Sequence, residues 1–79
     1  MTAREDVLAA AKALAASSAD GTFTGEEVVD YLRRRDTEFA ESTIRTHVTS
    51  RMCANAPDNH GSVYGDFVRV DRGRYALNS

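Results

Sequence analysis

The chain has 79 residues, 42% of them hydrophobic, and a formal net charge of −2. Its length suits one domain spanning residues 1–79, because too little apolar sequence is left for a second core. Arg4, Glu5 and Lys12 interrupt the N-terminal apolar stretch. The sequence therefore lacks the continuous run of a signal peptide or membrane span, and we expect a cytoplasmic protein without membrane contact.

Charge is distributed unevenly between the two halves of the chain. Residues 1–41 contain nine acidic and five basic residues, a net charge of −4, whereas residues 42–79 contain five arginines and three aspartates, a net charge of +2. We therefore expect any polyanionic partner to contact the C-terminal half.

Two segments of the N-terminal half begin with the spacing of a capping box, in which Thr and a Glu three residues later bond each other's amides. The first predicts helix 1 over residues 3–17, and the second predicts helix 2 from about Gly25 to near Arg35. Residues 22–23 between them predict a short strand that could pair with a strand elsewhere. The capping pairs are Thr2 with Glu5 and Thr24 with Glu27.

The stretch ESTIRTHVTSRM, residues 41–52, predicts the start of a third helix. We place the limit of helix 3 at Pro57, because the residue before a proline is disfavoured in the α region, and we expect Asn55 as a left-handed cap. The following segment, PDNHGSVYG, has the composition of a loop.

DFVRV and RYAL, joined through a glycine-containing turn, predict a β-hairpin. A two-residue turn at Arg72–Gly73 is favoured, and a three-residue loop over residues 71–73 is the alternative. The two-residue turn predicts a buried face of Val68, Val70, Tyr75 and Leu77, with Arg69 and Arg74 exposed.

This order of elements is typical of the winged helix-turn-helix. That α+β fold has three helices and a small C-terminal β-hairpin, the wing, and in this chain a short strand lies between helices 1 and 2. Helix 3 is then the recognition helix. We expect one shared core of Leu14, Val28, Leu32, Ile44, Val48 and Tyr75.

Helix 3 has an apolar side and a side rich in hydroxyl groups. On a helical wheel Ile44, Val48 and Met52 group together, and Cys53 falls on the opposite side. Small hydroxyl residues allow close approach to DNA and exchange hydrogen bonds with bases and phosphates, although they are weak helix formers. The candidate DNA-binding residues are Ser42, Thr43, Arg45, Thr46, Thr49 and Ser50 on helix 3, and Arg69, Arg72 and Arg74 on the hairpin.

The other arginines have structural explanations. Residues 33–35 form an arginine run at the end of helix 2, where positive charge complements the helix dipole. Arg51 falls on the inward shoulder of helix 3, which suggests an ion pair with Glu27 or Asp30.

No motif indicates metal binding or catalysis. His47 and Cys53 lie on nearly opposite sides of the predicted helix 3, so these two residues, Asp58 and His60 could not converge on one ion. The sequence contains no GxSxG elbow, Gly-rich phosphate loop or CxxC pair. We expect neither a cofactor nor a small-molecule substrate, and no enzymatic activity.

The segments STIRTHVTSRMCANAPDNHG and RVDRGRYAL resemble a family of small bacterial winged-helix domains. They are similar to the C-terminal DNA-reading domain of the DpnI-type restriction endonucleases, which act on adenine-methylated DNA. The resemblance covers residues 22–77 and implies DNA binding, with helix 3 in the major groove and the wing on the backbone. Helix 3 has no aromatic residue to pack on a base methyl group, and the chain has no nuclease domain. We therefore carry over DNA binding without methyl specificity.

Two functions follow from these patterns. The first is sequence-selective binding of double-stranded DNA, by a small transcriptional regulator or a DNA-reading module of a defence system, with homodimerisation raising the affinity. The second is protein docking on a winged-helix scaffold, which the acidic first half of the chain favours. Hydroxyl-rich helix 3 favours the first.

Overall fold

The computed structural model describes residues 2–54 and 64–78, which contain three α-helices, one π-helical turn and three strands. In chain order the elements are α1 (Ala3–Ser17), β1 (Thr22–Thr24), α2 (Gly25–Arg33), α3 (Glu41–Thr46), a π-helical turn (His47–Arg51), β2 (Phe67–Asp71) and β3 (Arg74–Leu77). The predicted α+β class is confirmed, with three helical segments and an antiparallel sheet.

Both predicted capping boxes are present. The Thr2 hydroxyl accepts a hydrogen bond from the Glu5 amide at 3.2 Å, while the Glu5 carboxylate accepts one from the Thr2 amide at 2.8 Å. The corresponding distances for Thr24 and Glu27 are 3.1 and 2.8 Å. These bonds satisfy amides that the first helical turn leaves without partners, so the predicted starts of α1 and α2 are confirmed.

The end of α2 is set by a left-handed residue. Asp36 has a φ of 55°, and the amide of Thr37 bonds the carbonyl of Leu32 at 3.2 Å. This closure reverses the chain just beyond the helix. The helix consequently ends at Arg33, two residues before the predicted Arg35.

The third helix, which we call helix 3 (residues 41–51), consists of α3 and the π-helical turn. Its last turn is wide because the Met52 amide bonds the carbonyl of His47, five residues earlier, at 2.8 Å. The predicted extension to Pro57 is wrong, because the Ala54 amide donates to the Phe67 carbonyl at 2.7 Å and the Met52 carbonyl accepts from the Phe67 amide at 2.8 Å instead of continuing the helix. Asn55 and Pro57 themselves lie outside the described residues.

The strands form one antiparallel sheet in the order β1-β3-β2. The predicted two-stranded hairpin is therefore not the whole sheet, and the strand order differs from the order along the chain. Strand β3 is central, and β1 pairs with the edge of β3 that faces away from β2. Thr22 lies opposite Ala76, and Phe23 lies opposite Tyr75. The expectation that this segment pairs with a strand elsewhere is confirmed.

The two-residue turn at Arg72–Gly73 is also confirmed, since Asp71 pairs with Arg74. Gly73 has a φ of 71°, a conformation that glycine adopts without strain. The predicted buried face is wrong at Val70. A register shift between Arg69 and Asp71 leaves Val70 52% exposed.

Phe67 is fully buried at the start of β2, while Val68 is only half-buried. Tyr75 and Leu77 pack in or against the core as predicted, and Arg69 and Arg74 are exposed. The register shift therefore moves the valines of β2 away from the core, and an aromatic ring occupies that place instead.

A single hydrophobic core joins the helices to the sheet. It contains five of the six predicted residues, and the sixth, Leu14, packs against it half-buried. Its buried members are Val7, Ala10, Ala11, Phe23, Val28, Val29, Leu32, Ile44, Val48, Met52, Cys53, Phe67 and Tyr75. None of the helices in residues 2–54 and 64–78 is both long and apolar enough to cross a membrane.

An ion pair fastens α1 to the segment before β2. The Arg4 guanidinium donates two hydrogen bonds to the Asp66 carboxylate, both at 3.0 Å, and lies 4.0 Å from the centre of the Tyr64 ring. The Asp66 carbonyl also accepts from the Asn78 amide at 2.8 Å. These contacts fix the base of the hairpin relative to the N-terminal helix.

We predict that Ile44→Ala lowers the free energy of unfolding by about 2–5 kcal/mol, because the Ile44 side chain is fully buried. Chemical denaturation and a thermal melt measure this change. Val70→Ala is the control, since half-exposed Val70 should change stability by no more than about 0.5 kcal/mol. An Ile44→Ala protein as stable as Val70→Ala would contradict the position of helix 3 in the core.

Candidate nucleic-acid interface

The side of helix 3 opposite its buried residues carries the predicted hydroxyl groups. Ile44 and Val48 are fully buried, so their side of helix 3 faces the core and the opposite side faces outward. Thr43 is half-buried, and Ser50 lies in the π-helical turn. Of the predicted residues on helix 3, Ser42, Arg45, Thr46 and Thr49 are exposed.

Arg45 is held along the helix surface by an acid one turn earlier. Its Nε lies 3.0 Å from one Glu41 carboxylate oxygen, and Arg33 Nη1 lies 3.9 Å from the other. All three side chains are substantially exposed, so these ion pairs are weak. The Thr49 hydroxyl donates to the Arg45 carbonyl at 2.9 Å, which turns this side chain back onto the helix.

A groove of about 400 Å³ separates helix 3 from the hairpin turn. We call it the hairpin groove. It brings Arg45 and Thr49 of helix 3 to the same surface as Arg72 of the turn. Its lining residues are Thr24, Gly25, Glu26, Arg45, Thr49, Arg72, Gly73 and Tyr75. At its wall, burial raises the pKa of Tyr75, so this phenol remains neutral.

A second groove, of about 310 Å³, also lies along helix 3, and we call it the hydroxyl groove. Its lining residues are Ser42, Thr43, Thr46, His47 and Arg51. The Thr43 carbonyl lies 2.8 Å from His47 Nδ1. Because a carbonyl only accepts, Nδ1 carries the proton of this bond.

The predicted ion pair of Arg51 with Glu27 or Asp30 is wrong. No such pair joins these residues, all of which the structure describes, and Arg51 is exposed beside His47. The cause is the wide last turn of helix 3. Each residue of a π turn advances less around the axis than in an α-helix, so Arg51 lies on the His47 side instead of the inward shoulder.

The hairpin arginines occupy three different environments. Arg72 lies at the turn and borders the hairpin groove. Arg69 lies opposite Tyr75 in the sheet and is exposed. Arg74 lies at another depression, where its Nη1 donates to the Thr22 hydroxyl at 2.8 Å. The structure therefore brings Arg72, but not Arg74, to the groove beside helix 3.

Three guanidinium groups in residues 2–54 and 64–78 make no ion pair, ring contact or side-chain hydrogen bond. They belong to Arg34, Arg51 and Arg72. Arg34 lies at the end of α2, beside Tyr31 and Asp30, while the other two border the grooves along helix 3.

Asp20 is a hydrogen-bonded acid that sequence analysis did not single out. Its carboxylate accepts from the hydroxyls of Thr22 at 2.7 Å and Ser18 at 2.8 Å, and from the Thr22 amide at 3.1 Å. These bonds, that of the Thr22 hydroxyl first, lower the pKa of Asp20 from 3.8 to about 2. The Ser-x-Asp-x-Thr spacing is a sequence signal for such a turn.

The residues considered for a metal site do not come together in the described part of the chain. Cys53 was expected on the outer side of helix 3, but it is fully buried, because the helix ends before it and the chain pairs with Phe67. His47 lies on helix 3, and Asp58 and His60 lie outside the described residues. Within residues 2–54 and 64–78 no three His, Cys, Asp or Glu side chains could hold an ion.

The fold and its surface define a small α+β domain whose third helix carries exposed hydroxyl groups and arginines between two grooves. The chain belongs to the family described as "Domain of unknown function (DUF7669)", whose model matches residues 4–77. The match extends from α1 to the end of β3. No curated protein and no solved structure matches the chain.

We predict that Thr22→Val raises the pKa of Asp20 towards 3.8, because the substitution removes the shortest hydrogen bond to the carboxylate. In the wild type the lowered pKa contributes stability above about pH 4, and this contribution is lost as the pH falls through about 2. Carboxyl ¹³C NMR titration measures the pKa. Thr49→Val, a control that removes a hydroxyl from helix 3, should leave it unchanged, and an unaltered Asp20 titration in Thr22→Val would contradict the assignment.

Proposed function

We propose that this domain binds double-stranded DNA sequence-selectively, with helix 3 in the major groove and the hairpin acting as a wing on the phosphate backbone. In this proposal it is a cytoplasmic winged-helix module of a transcriptional regulator or defence system, without catalytic activity. One observation carries the proposal. Arg45 and Thr49 of helix 3 share the hairpin groove with Arg72 of the turn, so groups suited to bases and to phosphate border one surface.

The size and chemistry of helix 3 support this orientation. A helix with its side chains is about 10–12 Å across, and the major groove of B-DNA is about 12 Å wide. Ser42, Thr46 and Thr49 are exposed and short, which allows the helix axis to approach the base edges closely. Arg45 supplies a long side chain whose guanidinium can bond guanine at two acceptors.

The arrangement of elements also supports a winged helix-turn-helix. A connection of seven residues, closed at its start by the hydrogen bond from the Thr37 amide to the Leu32 carbonyl, joins α2 to helix 3, and the hairpin lies next to helix 3 across the hairpin groove. The resemblance of this chain to the DNA-reading domain of DpnI-type endonucleases rests on the same segments. We further propose that two copies bind adjacent half-sites, because one small module makes few base contacts.

Arg45 must exchange one partner for another when it binds DNA. In the free domain its guanidinium is paired with Glu41, and both side chains of the pair are exposed to solvent. Breaking such a pair costs at most about 1 kcal/mol, which one base contact worth about 1–3 kcal/mol can offset. Glu41 therefore holds the recognition side chain in the free domain and opposes DNA binding by at most about 1 kcal/mol.

We predict that Arg45→Ala weakens binding to the preferred duplex by about 1–3 kcal/mol and affects random-sequence DNA much less, because base contacts carry the sequence information. Arg72→Ala should weaken both by the same factor and reduce the salt slope by about one, because phosphate contacts release counterions. A preferred site is first selected from a random-sequence library. Affinities for both duplexes at several salt concentrations then measure the two effects.

Unchanged sequence preference in Arg45→Ala would contradict the role of helix 3. If the wild-type domain binds no DNA at low salt, the DNA-binding proposal fails and the acidic first half of the chain makes protein docking the better explanation. Circular dichroism and thermal melts of each variant exclude loss of fold as the cause, since Arg45 and Arg72 are exposed.

We predict that Glu41→Gln strengthens binding to both duplexes several-fold, because it removes one negative charge from the interface and releases Arg45. Glu38→Gln is the matched control, since exposed Glu38 belongs to none of the ion pairs among the described residues and its change in charge is identical. Fluorescence anisotropy at constant salt measures both variants. Equal gains from the two substitutions would show that only net charge matters and that the Glu41–Arg45 pair has no specific effect.

A further inference from the structure

The hydroxyl groove has the composition of a phosphate-binding surface, although only its hydroxyl residues were expected to contact DNA. Its five lining residues include three hydroxyl side chains and the guanidinium of Arg51, and none of them is acidic. Arg51 has no ion-pair partner in residues 2–54 and 64–78. An exposed, unpaired arginine beside hydroxyl donors is suited to bind a phosphodiester.

The two grooves flank helix 3. Thr43 and Arg45 are the chain neighbours of fully buried Ile44, and each side chain leaves the helix about 100° to either side of it. Thr43 borders the hydroxyl groove, whereas Arg45 borders the hairpin groove. Exposed Ser42 and Thr46 also line the hydroxyl groove, on the edge that faces the hairpin groove.

DNA presents a matching arrangement of phosphates. A helix that occupies the major groove has one sugar–phosphate backbone on each side of it, and the two backbones belong to different strands. Two of the three unpaired guanidinium groups, those of Arg51 and Arg72, border the grooves on the two sides of helix 3. The third, that of Arg34, lies at the end of α2.

We propose that the hydroxyl groove binds a phosphate of the strand opposite to the one at the hairpin groove, with Arg51 supplying the charge. This inference rests on the proposed function and extends it to the second strand. Ser42 and Thr46 donate hydroxyl hydrogen bonds to the same phosphodiester. His47 Nδ1 is hydrogen-bonded to the Thr43 carbonyl and so does not face a phosphate; the ring forms the wall of the groove.

The first experiment compares the salt dependence of DNA binding in three variants with the wild type. Arg51→Met should weaken binding to preferred and random duplexes by the same factor and reduce the salt slope by about 0.9. Arg51→Lys should restore the slope, because the charge is kept. Arg34→Met removes a guanidinium at the end of α2 that is also exposed and unpaired, so it should leave the slope unchanged.

The second experiment assigns the strand. Neutral methylphosphonate linkages replace the phosphates of one strand at a time in the selected duplex. On the strand that Arg51 contacts, the neutral linkage should lower the DNA affinity of the wild type. It should lower the affinity of Arg51→Met little further, because that variant has already lost the contact. Arg72→Met should show this non-additivity only with linkages on the other strand.

Each outcome supports or overturns the assignment. If the wild type binds DNA and Arg51→Met has an unchanged salt slope, this inference is overturned and the proposed function stays intact. The same holds if Arg34→Met reduces the salt slope as much as Arg51→Met does. The inference is also overturned if both Arg51→Met and Arg72→Met are non-additive with methylphosphonate linkages on the same strand. Absence of DNA binding by the wild type removes the proposed function, and this inference with it.

Discussion

Packing around Phe23 determines how the sheet meets the helices. Its fully buried ring lies 5.1 Å, edge-on, from the ring of Phe67 and 6.4 Å from that of Tyr75, so one residue of a three-residue strand contacts both other strands. The next residue, Thr24, caps α2, and Gly25 approaches Val48 of helix 3. The separation between helix 3 and the hairpin, and with it the hairpin groove, therefore depends on this aromatic contact.

Features with local causes could be predicted from the sequence. The capping boxes predicted the starts of α1 and α2, and the glycine between DFVRV and RYAL predicted the turn of the hairpin. Features with non-local causes could not. Helix 3 ends early because its C-terminal backbone pairs with Phe67, which is distant in the chain, and no local pattern indicates where that partner lies.

The surface of helix 3 shows the same limit. Its outward face followed from the α-helical period, and the four-residue spacing of Glu41 and Arg45 was a visible signal for their ion pair. Arg51 and Cys53 were placed incorrectly because an ideal period was extended through a π turn and beyond the true helix end. The same assumption of regularity, applied to β2, put Val70 into the core although a register shift exposes it.

The position of β1 beside β3 also affects how the domain is made. Thr22 and Ala76 pair although they are 54 residues apart in the chain, so Phe23 acquires its strand partner only when β3 is available. Closing a loop of this length has an entropic cost before the contact stabilises anything, which slows folding relative to a purely helical domain of equal size. While β3 is missing from a ribosome-bound chain, the Phe23 ring has no strand partner and stays accessible to chaperones.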